Sequence, residues 1–302
     1  MAFKKIYKIA KNPKMIISRL MNLKIFNNYP DDKFLETKFW LRTGKKLDLK
    51  KPMTFNEKLQ WLKLYDRNPE YTQLVDKLEV RKHIEKTIGK EYLIPLLGEW
   101  DMFDDIDFNL LPNQFVLKCT HDSGGLIVCE DKGALNLKKA KKKINRSLKR
   151  NFYYHGREWP YKNVKPRIIC EKFMVDESGI ELKDYKIFCF LGEPKIIQVD
   201  YNRFEGHKRN LYDADWNYVS SSIKHPTDPE RLIEKPEKLE EMLQLARILS
   251  KEYYHVRVDF YSIKDKIYFG EMTFYHGSGY EKFEPEEFGY KMGSWLQLPT
   301  DK

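Results

Sequence analysis

The sequence predicts an α+β protein built on antiparallel strands. Helical periodicity is concentrated between residues 34 and 90, and short apolar runs of strand character, with few helices among them, dominate from about residue 115 onward. A doubly wound parallel sheet would alternate strand and helix along the whole chain, which this sequence does not do. The 302 residues suffice for one large domain or two interlocked ones. Aromatic content of 14% and the absence of repeats or low-complexity tracts argue against general disorder.

Net charge is +10, yet residues 1–30 carry Lys4, Lys5, Lys8, Lys11, Lys14, Arg19 and Lys24 with no acid, leaving +3 for residues 31–302. The basicity belongs to a tail. Its apolar piece, Met15-Ile-Ile-Ser-Arg-Leu-Met21, is too short and interrupted for a membrane span and unlike a signal peptide. A cytoplasmic location is expected, with the tail either frayed in solvent or resting peripherally on an anionic membrane face.

Phe55-Asn-Glu-Lys-Leu-Gln-Trp-Leu-Lys-Leu-Tyr65 puts Leu59, Leu62 and Tyr65 near one helical stripe, with Thr54 as cap. A second helix is expected over 74–88, ending at Gly89. Phe115-Val-Leu-Lys-Cys119 and Leu126-Ile-Val-Cys129 flank a polar, glycine-bearing loop and read as a hairpin. Residues 137–150 form a basic helix with Leu137, Ala140, Ile144 and Leu148 on one face and lysines in solvent. Strands are expected over 167–173, 185–190 and 195–199, and a helix over 236–252. Cys119, Cys129, Cys170 and Cys189 sit in apolar strand-like runs without CxxC spacing and read as buried thiols.

The final hairpin, Val256-Arg-Val-Asp-Phe-Tyr261 and Ile267-Tyr-Phe-Gly-Glu-Met-Thr-Phe274, carries the sharpest chemical signal. With Lys264-Asp265-Lys266 as the turn, Asp259 faces Glu271 and Arg257 faces Thr273. Opposed carboxylates destabilise a strand pair unless a hard cation joins them, usually one shared with substrate phosphates. Two solvated carboxylates on an edge hairpin are the alternative. The earlier loop, Lys118-Cys-Thr-His-Asp-Ser-Gly-Gly125, offers a lysine, hydroxyls and two glycines to a phosphate chain, or else is a flexible turn. It is not a Walker loop, because GxxxxGK[ST] is absent.

In order and spacing, these elements resemble the ATP-grasp superfamily, most closely its teichuronopeptide-biosynthesis, TupA-like branch. The resemblance covers residues 54–298 and adds Leu74-Val-Asp-Lys77, Tyr161-Lys-Asn-Val-Lys-Pro-Arg167, Asp184-Tyr-Lys186 and Gly277-Ser-Gly279 to the motifs already given. It implies two α+β lobes gripping ATP, preceded by a mostly helical segment. The corresponding division is 1–30 basic tail, 31–90 helical region, 91–170 lobe with the phosphate loop, and 171–302 lobe with the metal site.

By the same resemblance, Lys118 grips the α- and β-phosphates, Ser123, Gly124 and Gly125 close over them, and Lys77 is a second nucleotide contact. Glu171, Lys172, Phe173 and Met174 present backbone to adenine; Phe173 is otherwise simple core. Asp184 and Lys186 stand where relatives have Asp-x-Arg reaching the γ-phosphate, and a lysine acts there as a point charge rather than a fork. Arg257 stabilises charge on the transferring phosphoryl group. Asp259 and Glu271 are the carboxylates for Mg²⁺ or Mn²⁺, and Thr273 replaces the usual asparagine as third ligand. His276 and Ser278 fall near the substrate, His276 as contact, proton acceptor or structural residue. Lys208 and Arg209 either neutralise an acidic substrate or form a solvated turn.

The branch implies an ATP-dependent, ADP-forming ligase of bacterial surface polysaccharide (capsule or teichuronopeptide-like) synthesis. It would join a carboxylated sugar, a hexuronic acid, to an amino acid or other amine. A glycosyltransferase of the same pathway is the rival reading, resting on the triplets Asp105-Ile-Asp107 and Asp213-Ala-Asp215. No nucleic-acid partner is expected, because aromatics are not interleaved with the lysines.

Overall fold

The computed structural model describes residues 13–176, 182–201 and 206–299. Lys4, Lys5, Lys8 and Lys11 of the expected tail lie outside the described residues. Helices α1 (Pro13–Leu20), α2 (Asp31–Thr43), α3 (Phe55–Tyr65), α4 (Tyr71–Val75) and α5 (Val80–Thr87) come first. Thr54 caps α3 as expected. Its Oγ1 accepts from Glu57 N at 3.3 Å while Glu57 Oε2 accepts from Thr54 N at 2.9 Å, a reciprocal box worth roughly 1 kcal/mol.

The helix expected over 74–88 is broken between α4 and α5. Asp76 Oδ1 accepts from Leu78 N at 2.9 Å and Glu79 N at 3.3 Å, a local side-chain bond that competes with helix continuation. Lys77 N donates instead to Thr120 O at 3.1 Å, tying the break to the loop between β2 and β3.

The first sheet comprises β1 (Leu96–Trp100), β2 (Phe115–Cys119), β3 (Leu126–Cys129) and β4 (Ile168–Lys172) in the order β1-β4-β2-β3. The β2–β3 hairpin forms as expected, with Lys118 opposite Leu126. Helix α6 (Leu137–Leu148) buries Ala140 and Ile144 against Phe115, Leu117 and Cys170, and its lysines face solvent. A short α7 (Tyr153–Gly156) follows.

The second sheet takes β5 (Asp184–Phe190), β6 (Glu193–Tyr201), β7 (Lys208–Tyr212), β9 (Val256–Ile263) and β10 (Lys266–Thr273), in the order β10-β9-β5-β6-β7. Between them lie β8 (Ser222–Ile223) and α8 (Leu239–Ser250); β11 (Phe283–Glu284), which pairs with β8, and α9 (Glu287–Trp295) close the chain. All strand pairs among the described residues are antiparallel. The α+β expectation holds. Strands β1, β7, β8 and β11 were not legible, and Lys208 and Arg209 stand in β7 rather than in a solvated turn.

Alternation along β5 and β9 serves two faces. Ile187, Val258 and Phe260 join Met242 and Ala246 of α8 in the main core, to which α3, α4 and α5 contribute Leu59, Leu74 and Ile84. Each such side chain, fully buried, contributes roughly 1.5–3 kcal/mol. Asp184, Lys186, Arg257 and Asp259 take the other face, toward the first sheet. All four cysteines are free and buried, as expected.

The β9–β10 hairpin pairs Asp259 with Glu271 and Arg257 with Thr273, by a route that differs from the one expected. The turn is two residues, Lys264-Asp265, since Lys266 already pairs with Ile263. That register would put Asp259 opposite Gly270. A bulge between Phe269 and Glu271 adds one residue and restores the pairing. Gly270 suits the bulge because a Cβ there would come within 3.0 Å of Asp259 O.

Candidate active site

Two adjoining cavities lie between the sheets. One, of about 230 Å³, is lined by Val116, Leu126 and Val128 of the first sheet and by Lys172, Phe173 and Met174 at the end of β4. It has the apolar walls and flanking backbone that a flat heterocycle needs. The other, of about 340 Å³, shares Lys118, Glu171 and Tyr261 with it and continues over Lys77, Ser123 and Gly125 to Asp184, Lys186, Asp259 and Glu271. An apolar chamber thus opens into a charged one.

On the first-sheet side, Lys118 Nζ donates to Glu171 Oε2 at 2.6 Å, and Arg81 Nη1 donates to Glu171 Oε1 at 3.2 Å. Lys77 Nζ donates to Asp122 O at 2.6 Å. Asp122 Oδ1 accepts from Gly124 N at 3.2 Å and Gly125 N at 2.9 Å, so the loop's own carboxylate holds the two donors that a phosphate would use. Asp122 Oδ2 in turn accepts from Ser147 Oγ of α6. Gly125 is required here by close approach, since a Cβ would overlap Cys119 Sγ and Ser147 Oγ.

On the second-sheet side, Arg257 is the hub. Its Nε and Nη2 donate to Asp259 Oδ1 and Oδ2 at 2.6 and 2.7 Å, a fork-on-fork pair. Nη2 also reaches Glu271 Oε1 at 2.9 Å and Thr273 Oγ1 at 3.0 Å, and Nη1 donates to His276 Nδ1 at 2.7 Å. Lys186 Nζ donates to Asp184 Oδ2 and Asp259 Oδ2, both at 2.6 Å. Burial pushes the Asp259 carboxyl up, against the pull of Arg257 and Lys186. Burial also works against the charge on Arg257, and Asp259 and Glu271 outweigh it, holding the guanidinium above its ordinary value.

Among the described residues no three His, Cys, Asp or Glu side chains form a closed metal cage. A half-open pair of hard oxygens, with Thr273 Oγ1 beside it, nonetheless suits Mg²⁺, which takes one or two carboxylates and completes its shell with water and phosphate. Glu271, its side chain 43% exposed, points into the open chamber. The residues fit the ion.

The cleft therefore brings together Lys77, Lys118, Ser123, Gly125, Glu171–Met174, Asp184, Lys186, Asp259 and Glu271, with Gly124, Arg257 and Thr273 adjoining. Lys208, Arg209, His276 and Ser278 line neither cavity. Arg209 is buried between Asp200, at 2.7 Å from Oδ1, and Glu281, at 3.4 Å. His276 is buried behind Arg257, and Ser278 bonds Lys63. Sequence reasoning missed Arg81, Asp122 and Tyr261. Leu126 and Val128 on β3 stay half-exposed toward the apolar chamber, which the unbroken apolar run Leu126-Ile-Val-Cys129 does not reveal in sequence. Both Asp-x-Asp triplets lie outside the cleft lining: Asp107 caps a turn through Asn109 N at 2.9 Å, and Asp213 does so through Asp215 N at 3.0 Å.

A family model described as "TupA-like ATPgrasp" matches residues 57–297. No protein of curated function matches the chain. Among solved structures, D-alanine–D-alanine ligase from Bacillus anthracis, complexed with ATP, is 15% identical with a TM-score of 0.42, covering 67% of this chain and 55% of its own. The corresponding ligase from Helicobacter pylori is 14% identical with a TM-score of 0.41, covering 81% and 69%. A RimK domain ATP-grasp protein from Sphaerobacter thermophilus is 10% identical with a TM-score of 0.41, covering 75% and 69%. The chain thus spans a little over half the length of the Bacillus ligase.

Proposed function

The chain belongs to the TupA-like ATP-grasp family, and from that premise we propose that this ATP-grasp enzyme is an ADP-forming carboxylate–amine ligase of bacterial surface polysaccharide synthesis. Its substrates are a carboxylated sugar, a hexuronic acid, and an amino acid or other amine. The observation that carries the chemistry is the facing arrangement of Lys118 and the glycine loop on one sheet and Asp259, Glu271, Lys186 and Arg257 on the other, across one cleft.

The apolar chamber takes the adenine, and Lys118, Lys77 and the loop amides take the α- and β-phosphates, which compete with Glu171 and Asp122 for those donors. Asp259 and Glu271 would hold Mg²⁺ or Mn²⁺, which would supply positive charge to offset that of the phosphate chain. Lys186 and Arg257 cover the γ-phosphate, and Arg257 meets the charge that develops on the transferring phosphoryl group. The sugar carboxylate attacks the γ-phosphorus and ADP leaves. The amine then displaces phosphate from the acyl phosphate to form the amide. No protein nucleophile is needed, so positioning and neutralisation are the protein's whole contribution.

In the segment before α2, Ile16, Ile17, Leu20, Leu23 and Ile25 are exposed and interspersed in sequence with Lys14, Arg19 and Lys24. That pattern supports peripheral contact with an anionic membrane face, where a lipid-linked acceptor would be met. No described helix is long and apolar enough to cross a membrane. The deciding experiment is ADP release from Mg·ATP with a pooled set of uronic acids and amino acids, with Glu271→Gln as blank. Release requiring both a carboxylate and an amine is expected; ADP release unaffected by Glu271→Gln would overturn the reading.

A further inference from the structure

Arg257 has more partners than its charge requires, and two of them, Thr273 and His276, are not acids. Nη1 donates to His276 Nδ1 at 2.7 Å, and a guanidinium is a donor only, so Nδ1 must carry the lone pair. The ring proton is therefore on Nε2, which lies 3.2 Å from Glu281 Oε2. Glu281 Oε1 accepts from Lys224 Nζ at 2.7 Å, and Arg209 Nη1 stands 3.4 Å from Oε2. A neutral imidazole, hydrogen-bonded to the catalytic arginine through Nδ1, thus stands beside an anchored carboxylate, with its Nε2 making no hydrogen bond to it.

His276 opens a turn that the backbone does not favour. Gly277, Ser278 and Gly279 have φ of 54°, 55° and 65°, and Ser278 has no glycine's freedom there. Such strain persists only where the surroundings over-determine it. Here α3 does so. Asn56, Gln60 and Lys63, spaced for one helical face, all reach the turn. Asn56 Nδ2 donates to Glu281 O at 2.8 Å, and Gln60 Nε2 donates to Ser278 O at 3.1 Å and Gly279 O at 2.9 Å. Lys63 Nζ, fully buried, donates to Ser278 O at 2.9 Å and Ser278 Oγ at 3.0 Å.

We propose that His276 is a positioning residue that fixes the rotamer of Arg257, and that the Asn56–Gln60–Lys63 face of α3 clamps the 276–281 turn so that His276 can do so. Helix α3 is thus a structural part of the catalytic centre, although none of its residues lines the cleft. This rests on the reading of Arg257 as the arginine that meets the transferring phosphoryl group. An arginine that must meet charge only in the transition state gains from being held in advance.

The test pairs His276→Leu with His276→Asn, whose Oδ1 can still accept from Nη1. Losing one hydrogen bond to a charged group corresponds to roughly a 10- to 100-fold loss. His276→Leu should lower kcat of carboxylate-dependent ADP release by that factor while KM for ATP stays within about threefold, and His276→Asn should recover most of it. Lys63→Met should show the same split in milder form. Glu271→Gln runs alongside. If Glu271→Gln is inactive and His276→Leu turns over normally, the clamp is wrong and the ligase reading stands. If Glu271→Gln is fully active, the ligase reading itself falls. Should the variants fail to fold, ¹⁵N-histidine spectra of the unaltered protein decide. An Nε2–H tautomer of His276 at neutral pH is expected, and an Nδ1–H tautomer or an imidazolium would overturn the proposal.

Discussion

Replacing Arg257 with Met should tighten binding of the divalent cation while abolishing turnover. The guanidinium lies 2.6–2.9 Å from the Asp259 and Glu271 oxygens assigned to the metal. With metal–oxygen bonds of about 2.1 Å, the two cations would stand roughly 5 Å apart. At an effective permittivity of about 20, that is about 3 kcal/mol of repulsion per unit of metal charge. Exposure of Glu271 screens much of this, and the freed carboxylates lose some of their order. We expect roughly tenfold to hundredfold tighter binding in the absence of nucleotide. Mn²⁺ titration followed by electron paramagnetic resonance measures it directly, with Glu271→Gln as the variant that should lose binding. Arg257→Met that binds Mn²⁺ no more tightly than the unaltered protein would show that the metal does not sit on Asp259 and Glu271. The same variant should melt earlier, because Asp259, 1% exposed, keeps only Lys186 as cationic partner among the described residues. Breaking such a pair costs about 3–5 kcal/mol where burial is complete.

Lys118→Met should weaken ATP binding by roughly tenfold or more, the worth of one charge-assisted contact, and unchanged affinity in a fluorescent-nucleotide titration would remove Lys118 from the phosphate grip. Gly125→Ala should lower stability by about 1–3 kcal/mol from overpacking against Cys119 and Ser147, read by urea unfolding, and it should impair nucleotide binding together with stability. Stability should fall on acidification. Burial pushes Asp200 up, yet Arg209, Lys186 and His207 outweigh it and hold the carboxyl well below the usual range. Its stabilising contribution is complete above the unfolded pKa of about 4 and is lost as pH falls from there toward the folded value. Asp200→Asn should flatten that acid limb in urea titrations between pH 3 and 7, and an unchanged limb would assign it to other groups.

Local pattern was enough for the α+β class, for the β2–β3 hairpin with its loop, and for α3 with its cap. Each depends on neighbours a few residues apart, where periodicity and turn chemistry act. The facing of Asp259 and Glu271 was legible too, but through a three-residue turn that does not form; a two-residue turn and a bulge at Gly270 arrive at the same pairing. Side-chain alternation carries the strand phase on either side of a bulge and does not reveal the bulge itself. The break at Asp76-Lys77 was hidden because its reason, the bond from Lys77 N to Thr120 O, lies across the fold. The same holds for the charged pairs. Lys118 meets Glu171 53 positions on, and Lys63 meets Ser278 215 positions on. The residues proposed to recognise nucleotide and metal were open to reading because their chemical types are those such a ligand demands. Which carboxylate each cation faces, and that buried Arg209 and His276 and partly buried Ser278 are supports away from the cleft lining, was decided only when chain closure brought distant segments into one low-dielectric interior, where charges had to find partners.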